Sequence, residues 1–215
     1  MFFKRKHRLV ILISGRGSNM KAIIEAVRDG RIPNTRVVGV ISDNPQAEGL
    51  TIAKKYGIRA KYISAAPYKT KLEGKAEERY IATIKRWKPD LIILAGFMRV
   101  IKPRFIQSFP NRIINIHPSL LPAYPGLHTH ERVLAAGEKE SGCTVHFVNE
   151  TVDGGKRIIQ ARVPVLSDDT PQSLAARILE KEHKILPYAI HLLLEKKISY
   201  DTITEPLQWR EEWNF

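Results

Sequence analysis

Apolar runs alternate with amphipathic stretches over the first 117 residues of the chain. The runs have the length and the Val, Ile and Leu content of strands buried on both faces; they cover residues 8–14, 35–42, 60–64, 90–96 and 112–117. The amphipathic stretches have apolar positions at helical spacing; they cover residues 19–30, 49–57, 75–87 and a brief stretch near 103–108. Single helices between strands form βαβ units. The pattern therefore predicts an α/β, Rossmann-like fold with a mostly parallel sheet flanked by helices.

The rhythm changes after residue 130. A helix is expected over residues 130–137, followed by strands over 142–148 and 157–165 that the loop "NETVDGGK" joins. Two strands linked by so short a loop predict a C-terminal extension that is a hairpin or close to one.

Residues 170–197 form one long amphipathic segment. Thr170 is suited to cap its first turn, and Pro171 to occupy the first helical position. Because proline removes a backbone donor inside a helix, a break is expected near Pro187.

Composition bounds the domain count and the class of protein. The 215 residues contain no repeat, low-complexity tract or linker, which predicts a single domain over residues 1–215. A basic lead at residues 1–7 and a tail from about residue 198 to 215 are expected to be peripheral. The lead and the apolar run behind it faintly suggest a signal peptide, but glycines and charge follow at once and favour a first strand.

Net charge is +13. The basic residues are scattered, without an arginine-rich helix or a finger spacing, so we expect no nucleic-acid partner and at most a general attraction for phosphorylated or carboxylated small molecules. No apolar stretch is long enough to span a membrane. The single cysteine, Cys143, excludes an internal disulfide, fits a reducing cytoplasm and is typical of a small buried side chain rather than a nucleophile.

Three candidate stretches lie at the carboxyl ends of predicted strands: residues 15–19, 96–101 and 115–117. Sites in such sheets lie at the carboxyl ends of strands. The first stretch, "GRGSN", opens a helix whose N–H groups attract anions, with Ser18 and Asn19 able to cap the helix and donate to the anion. A dinucleotide fingerprint would need glycine where Met20 stands, and a Walker loop would need Gly-Lys-Ser/Thr, so a phosphomonoester is the better candidate than NAD or a nucleoside triphosphate.

Asn115 and His117 are two apart on one strand and therefore share a face. An amide donor beside an imidazole suits stabilisation of a developing oxyanion. No motif of a covalent nucleophile is present, which favours direct attack by a substrate amine or hydroxyl. Asp153 is a candidate for keeping His117 protonated, although Asp-Gly-Gly is also simply a turn.

Histidines offer two further interpretations. Four of them could instead gather a metal, but their spacing matches no H-E-x-x-H motif and no metal is expected; they are His117, His128, His130 and His146. His146 and His183 are also compatible with purely structural roles.

Six segments follow one another over residues 8 to about 195: "ISGRGSN", "LAGFMRVI", "NIHPSLLPAYPGLHTH", "GCTVHFV", "DGG" and "EHKILP". Together and in this order, they resemble glycinamide ribonucleotide formyltransferases, a branch of the formyltransferase superfamily. The resemblance implies an enzyme that transfers a formyl group from 10-formyltetrahydrofolate to the amine of 5'-phosphoribosylglycinamide in purine biosynthesis. It implies small-molecule substrates and leaves monomer and homodimer open.

The resemblance assigns the family's catalytic Asn-His-Asp trio to Asn115, His117 and Asp153. Asn115 and protonated His117 would hold the oxyanion, while Asp153 would orient His117 and keep it charged. The substrate would bind at Gly17, Ser18, Asn19 and Glu182. The folate would bind, largely through backbone groups, at Lys71, Met98, Arg99, Val100, Ile101 and Asn115, and the resemblance implies a cis bond at Leu121–Pro122.

Two positions depart from the family. Lys156 stands where many relatives have proline, and Lys71 is the nearest match to an arginine near the folate tail. Sister enzymes remain as alternatives. A tRNA formyltransferase usually carries a further C-terminal RNA-binding domain, and a formyltetrahydrofolate hydrolase an additional N-terminal domain. A non-catalytic Rossmann-type phosphate or nucleotide sensor would leave Asn115 and His117 unexplained.

Overall fold

A computed structural model describes residues 5–213 and residue 215. Its strands are β1 His7–Ile13, β2 Thr35–Ser42, β3 Ala60–Tyr62, β4 Lys71–Leu72, β5 Leu91–Leu94, β6 Val100–Ile101, β7 Ile113–His117, β8 Glu140–Phe147, β9 Arg157–Pro164 and β10 Leu207–Gln208. Its helices are α1 Ser18–Arg28, α2 Glu48–Lys55, α3 Gly74–Trp87, α4 Pro103–Ser108, α5 Thr129–Ala135 and α6 Pro171–Leu194. Among the described residues, no helix has both the length and the apolar character required to cross a bilayer.

Residues 1–114 and 115–215 form two compact units, and β7 contains the junction between them. The predicted α/β class, with a mostly parallel sheet, flanking helices and a C-terminal hairpin-like extension, is confirmed. The single domain predicted for residues 1–215 stays a prediction. Residues 1–4, most of the predicted basic lead, lie outside the described part of the chain.

The strands of the first unit have the order β3-β2-β1-β5-β7. The pairs β1–β2, β1–β5 and β2–β3 are parallel. Residues 9–13 of β1 are fully buried, as their uninterrupted apolar run predicts. Strand order changes direction at β1, so β1 and β5 flank the type of switch point at which α/β sheets bind ligands. The carboxyl ends of these strands meet there, with the Ser14 N–H donating to the Gly96 carbonyl at 3.0 Å.

A second, two-stranded sheet in the first unit joins β4 and β6 in parallel, with Lys71 opposite Val100. The sequence did not predict these strands, because two-residue strands are too short to show a period of two.

In the second unit the strand order is β7-β8-β9-β10. The strands β8 and β9 are antiparallel, which confirms the predicted near-hairpin, and α6 packs against both. The ladder between β8 and β9 shifts register between Val145 and His146, near the end of β8 that leads into the loop containing Asp153.

The helix α6 begins as predicted, with Thr170 as its N-cap, Pro171 in the first turn and a reciprocal pair of hydrogen bonds between Thr170 and Ser173. The predicted break near Pro187 is wrong, because one helix of 24 residues runs through that proline. Pro187 is buried together with its apolar neighbours. Proline removes one intrahelical bond, and burial of the helix face against β8 and β9 offsets that loss.

Within the second unit, the tail packs against β9 and α6. The strand β10 adds to β9 in parallel, and Ile203 is buried. Three aromatic rings of the tail contact Tyr188 on α6, with ring centroids 5.1–5.4 Å apart; they belong to Trp209, Trp213 and Phe215. Neither feature was predicted, since the tail has little periodicity.

Candidate active site

The three predicted catalytic residues converge in the second unit. His117 Nδ1 lies 3.2 Å from Asp153 Oδ2, and the Asn115 amide donates to Asp153 Oδ1 at 3.4 Å. Asn115 and His117 reach this point because alternate residues of β7 share a face. Asp153 comes from the loop between β8 and β9, and the Gly126 N–H donates to its Oδ2 at 2.9 Å. The structure thus brings Asp153 to two side chains that precede it by 36 and 38 positions in sequence.

The second ring nitrogen of His117 is also occupied. Its Nε2 lies 2.9 Å from the Tyr124 carbonyl oxygen, so both ring nitrogens face acceptors. Only the doubly protonated ring can donate to both at once. Burial nevertheless lowers the pKa of His117, while the charge of Asp153 and the hydrogen bond to Tyr124 raise it and offset part of this effect. Asp153 therefore favours the cation, but burial outweighs it, and the role predicted for Asp153 in keeping His117 protonated stays a prediction.

Asp153 itself is held in the charged form. Burial alone would raise its pKa, but a hydrogen bond from His146, the nearby charge of His117 and the Gly126 N–H outweigh burial and lower that pKa. A carboxylate at this position is available as a fixed negative charge beside the imidazole of His117.

His146 is a member of this cluster that the sequence did not identify. Its Nδ1 lies 2.8 Å from the Phe147 carbonyl oxygen, to which it can only donate. Its Nε2 lies 3.2 Å from the Asn115 amide nitrogen and 3.5 Å from Asp153 Oδ1. His146 therefore contacts both Asn115 and Asp153. In sequence it is one buried histidine near the end of a strand, which is equally typical of a structural residue.

The segment after β7 is fixed by the side chains of β8 and β9. The predicted cis bond at Leu121–Pro122 is confirmed, and a second cis bond, Ala66–Pro67, was not predicted. The Leu121 N–H donates to Thr144 Oγ1 at 3.1 Å, and its carbonyl accepts from Gln160 at 2.8 Å and Arg157 at 2.9 Å. These bonds, two of which are buried, hold the stretch that carries the Tyr124 carbonyl to His117.

The remaining predicted residues of the second unit are Glu182 and Cys143. Glu182 lies on α6 and is 7% exposed. Cys143 is completely buried in β8, and burial, together with the charge of Glu182, raises the pKa of its thiol. A neutral, inaccessible thiol is no nucleophile. In the described part of the chain, no three His, Cys, Asp or Glu side chains are arranged to hold a metal ion.

In the first unit the glycine loop begins α1 without a side-chain cap. Gly17 is the N-cap in the left-handed conformation, at φ 78°, so the interpretation that Ser18 and Asn19 cap the helix is wrong. A Cβ at Gly17 would meet the Gly49 backbone at 2.8 Å. Ser18 and Asn19 instead occupy the first turn, where N–H groups have no intrahelical acceptor and can bind an anion.

The predicted folate residues of the first unit also lie together. Lys71 on β4 pairs with Val100 on β6, and Met98 and Val100 expose 61% and 42% of their surface. The N–H groups of these two are not free, because they donate to Ser14 Oγ at 2.8 Å and to the Thr70 carbonyl at 2.9 Å. The segment therefore offers more apolar side chain and less main-chain edge than the sequence predicted.

Lys156, where many relatives have proline, contacts the tail. Its Nζ donates to the Tyr200 carbonyl at 2.9 Å and lies 4.6 Å from the centre of the Tyr200 ring. That ring contacts Phe147 edge-on, with centroids 5.2 Å apart. A cavity of about 310 Å³ lies beside these contacts, between residues 153–157 and 203–206. Lys156 thus links the loop of Asp153 to the tail.

Replacing Lys156 with Met should lower the free energy of unfolding by about 1 kcal/mol, because the hydrogen bond and the cation–π contact with Tyr200 are lost. Chemical denaturation monitored by circular dichroism measures this change. Tyr200→Phe retains the ring and the carbonyl and should leave stability unchanged. Equal stability of Lys156→Met and the unaltered chain would show that the contact contributes nothing.

A family model described as formyl transferase matches residues 7–190. The chain belongs to the formyl transferase family. Within this family, phosphoribosylglycinamide formyltransferase of Escherichia coli (strain K12) is 43% identical over 183 residues, which cover 85% of this chain and 84% of that protein. The resemblance noted in the sequence is confirmed.

Two further relatives support the same family assignment. Glycinamide ribonucleotide transformylase 1 of Symbiobacterium toebii superimposes with a TM-score of 0.87 at 42% identity, covering 98% of this chain and 96% of that one. Trifunctional purine biosynthetic protein adenosine-3 of Drosophila melanogaster is 47% identical over 195 residues; these are 90% of this chain but 14% of that protein. The match to the multifunctional protein thus concerns a small part of its length.

Proposed function

We propose that this chain transfers the formyl group of 10-formyltetrahydrofolate to the amine of 5'-phosphoribosylglycinamide, as a step of purine biosynthesis. The observation that carries the proposal is the convergence of Asn115, His117 and Asp153 within hydrogen-bonding distance, in a member of the formyl transferase family. These groups supply donors and a fixed negative charge, and no nucleophile is part of the arrangement.

The chemistry begins with the substrate amine. Its lone pair attacks the formyl carbon, and the carbonyl electrons move to the oxygen, which becomes an oxyanion. The bond from carbon to N10 of the folate then breaks as the carbonyl re-forms. One proton leaves the amine and one reaches N10, with water as the carrier, so that proton count and charge balance over the step.

His117 and Asn115 would bind the oxyanion by exchanging partners. In the free site His117 Nε2 lies at the Tyr124 carbonyl, and the Asn115 amide makes a long contact of 3.4 Å with Asp153. An oxyanion is a stronger acceptor than a neutral carbonyl. Hydrogen bonds to it therefore become favourable as charge develops, which is the condition for stabilising the transition state more than the ground state.

The same oxyanion would promote protonation of His117. A negative charge near the ring raises its pKa, and the Asp153 carboxylate acts in the same direction. Together these two charges oppose the effect of burial. The role proposed for Asp153 is thus electrostatic, with His117 held by its contact to Oδ2 in the orientation that the reaction requires.

Substrate binding is proposed for each unit separately. In the first unit, the first turn of α1 at Gly17, Ser18 and Asn19 would bind the substrate phosphate, and the residues 98–101 with Lys71 would bind the folate. The exposed side chains of Met98 and Val100 suit a flat heterocycle. In the second unit, Glu182 would bind the substrate and Asn115 the folate.

The test is a formyl-transfer assay with the purified chain. The expected result is loss of 10-formyltetrahydrofolate that depends on 5'-phosphoribosylglycinamide and yields equal amounts of formylated product. Initiator methionyl-tRNA and water serve as alternative acceptors in parallel reactions. Transfer only to tRNA, or release of formate without an acceptor, would contradict the proposal.

Ser18→Ala should raise the KM for phosphoribosylglycinamide several-fold and leave kcat nearly unchanged. A phosphate remote from the reacting carbon contributes uniform binding to ground and transition states. Steady-state kinetics with phosphorylated and dephosphorylated acceptor measure the effect. The control is Ser108→Ala, since the Ser108 hydroxyl only donates to the Arg104 carbonyl at the end of α4. Equal KM values for both acceptors in the unaltered chain would exclude the anion site.

A further inference from the structure

Asp43 directly follows β2, and its sequence context, "SDNP", is typical of an exposed turn. The structure instead buries its side chain, which is 3% exposed. Asp43 lies at the carboxyl end of a strand that is parallel to β1, on the edge of the sheet where the ends of β1 and β5 meet. A buried carboxylate at this edge requires compensation by charge or by hydrogen bonds.

Both oxygens of the Asp43 carboxylate are bound. Oδ2 accepts from the Nε of Arg99 at 2.5 Å, and Oδ1 accepts from the hydroxyl of Ser14 at 2.6 Å. The guanidinium of Arg99 also donates to the Tyr68 carbonyl at 3.3 Å. The guanidinium of Arg99 is therefore held by two acceptors of the first unit, the Asp43 carboxylate and the Tyr68 carbonyl.

The contact between Asp43 and Ser14 also affects Met98, the residue before Arg99. Because the Ser14 hydroxyl donates its only hydrogen to Asp43, its lone pairs are directed elsewhere, and one accepts the Met98 N–H at 2.8 Å. One carboxylate thus fixes the backbone at Met98 through Ser14 and the side chain of Arg99 directly. Adjacent residues of one segment are held by a single buried group.

We propose that Asp43 is a positioning residue for the folate platform, defined as residues 98–101. The platform exposes the apolar side chains of Met98 and Val100, and its main chain has to be immobile for these to meet a flat ring in one orientation. The inference rests on the proposed function, because it takes the folate as the ligand of this segment.

Stability of the fold alone does not account for this arrangement. A buried ion pair is often no more stabilising than apolar side chains of similar volume. This pair lies at the switch point between β1 and β5, where ligand sites of α/β sheets are found, rather than in the core of the unit. Asp43 contacts one residue of the platform, Arg99, directly and reaches a second, Met98, through Ser14.

Asp43→Asn tests the inference with a minimal change. The amide offers the Ser14 hydroxyl only an uncharged and therefore weaker acceptor, and it loses the charge that holds Arg99. The KM for 10-formyltetrahydrofolate is expected to rise about tenfold, which corresponds to the loss of one charged hydrogen bond. The kcat and the KM for phosphoribosylglycinamide should stay within about twofold of the unaltered chain.

Two further variants test the coupling. Arg99→Met should produce a similar rise in the folate KM, and the double variant should be no worse than the more affected single variant, because both remove the same contact. Ser14→Ala removes only the link to Met98 and serves if Asp43→Asn does not fold. The control is Asp29→Asn, whose carboxylate forms an exposed ion pair with Arg31 at 3.2 Å and should leave all constants unchanged.

Hydrogen–deuterium exchange provides a readout that does not need activity. Asp43→Asn should accelerate exchange of the Met98 amide in the free protein and leave the amides of residues 91–94 protected. An unchanged folate KM with unchanged exchange would overturn the inference, as would an equal loss in every kinetic constant. Absence of formyl transfer by the unaltered chain would instead overturn the proposed function, while faster Met98 exchange would still support the Asp43 contacts.

Discussion

His117→Ala should lower kcat by about 100- to 1,000-fold while the protein remains folded, the usual effect of removing one oxyanion donor. The ring of His117 is the group best placed to meet a developing negative charge, because a charged acceptor can displace the Tyr124 carbonyl from its Nε2. Steady-state turnover with both substrates saturating measures the loss, and thermal unfolding shows whether the fold survives.

The matched control for this variant is His7→Ala. His7 is the first residue of β1, at the amino end of the strand, where the sheet carries no proposed function. Its variant should turn over at the unaltered rate. Near-normal turnover by His117→Ala would show that the oxyanion is not stabilised by this ring, and the mechanism would have to be abandoned.

Asp153→Asn should lower kcat on the order of 100-fold at neutral pH. The change removes the carboxylate that raises the pKa of His117, and burial of the ring remains. The pKa of His117 therefore falls further. If activity needs the imidazolium, it is present below that pKa and lost as pH rises through it, so the alkaline limb of the kcat–pH profile should move to lower pH.

The measurement for Asp153→Asn is a kcat–pH profile of both proteins over a range in which they remain folded. Partial recovery of activity at acid pH, relative to the unaltered chain, is the expected signature of a lost charge. A uniformly reduced profile with the same alkaline limb would show that Asp153 acts through geometry alone and not through the charge of His117.

The sequence predicted those elements of the fold that are long and have a clear pattern of apolar and polar positions. The buried strands β1, β2 and β5 appear as apolar runs because both of their faces are covered. The break expected at Pro187 did not occur, because a local rule was outweighed by the burial of a 24-residue helix against two strands. Two-residue strands such as β10 form only because they pair with a neighbouring strand, and they are too short to show an alternating pattern in the sequence.

The residues of the candidate site likewise fall into those that the sequence predicted and those that it did not. Asn115 and His117 could be paired from the alternation of one strand, whereas Asp153 stands in a glycine turn and was only a weak candidate until the family resemblance assigned it. His146 and Asp43 were missed as site residues. Their roles depend on which atoms surround them, namely the Phe147 carbonyl for one and Ser14 with Arg99 for the other. Such contacts come from tertiary packing, which one sequence does not display.

The two hydrogen bonds of the His117 ring have a consequence for water. A general base needs an available lone pair, and both nitrogens of this ring face oxygen acceptors inside the protein. The ring can therefore donate a hydrogen bond to an oxyanion, but it is poorly arranged to accept a proton from a water molecule. If the proposed function holds, such a site would disfavour hydrolysis of the activated one-carbon unit before the amine binds.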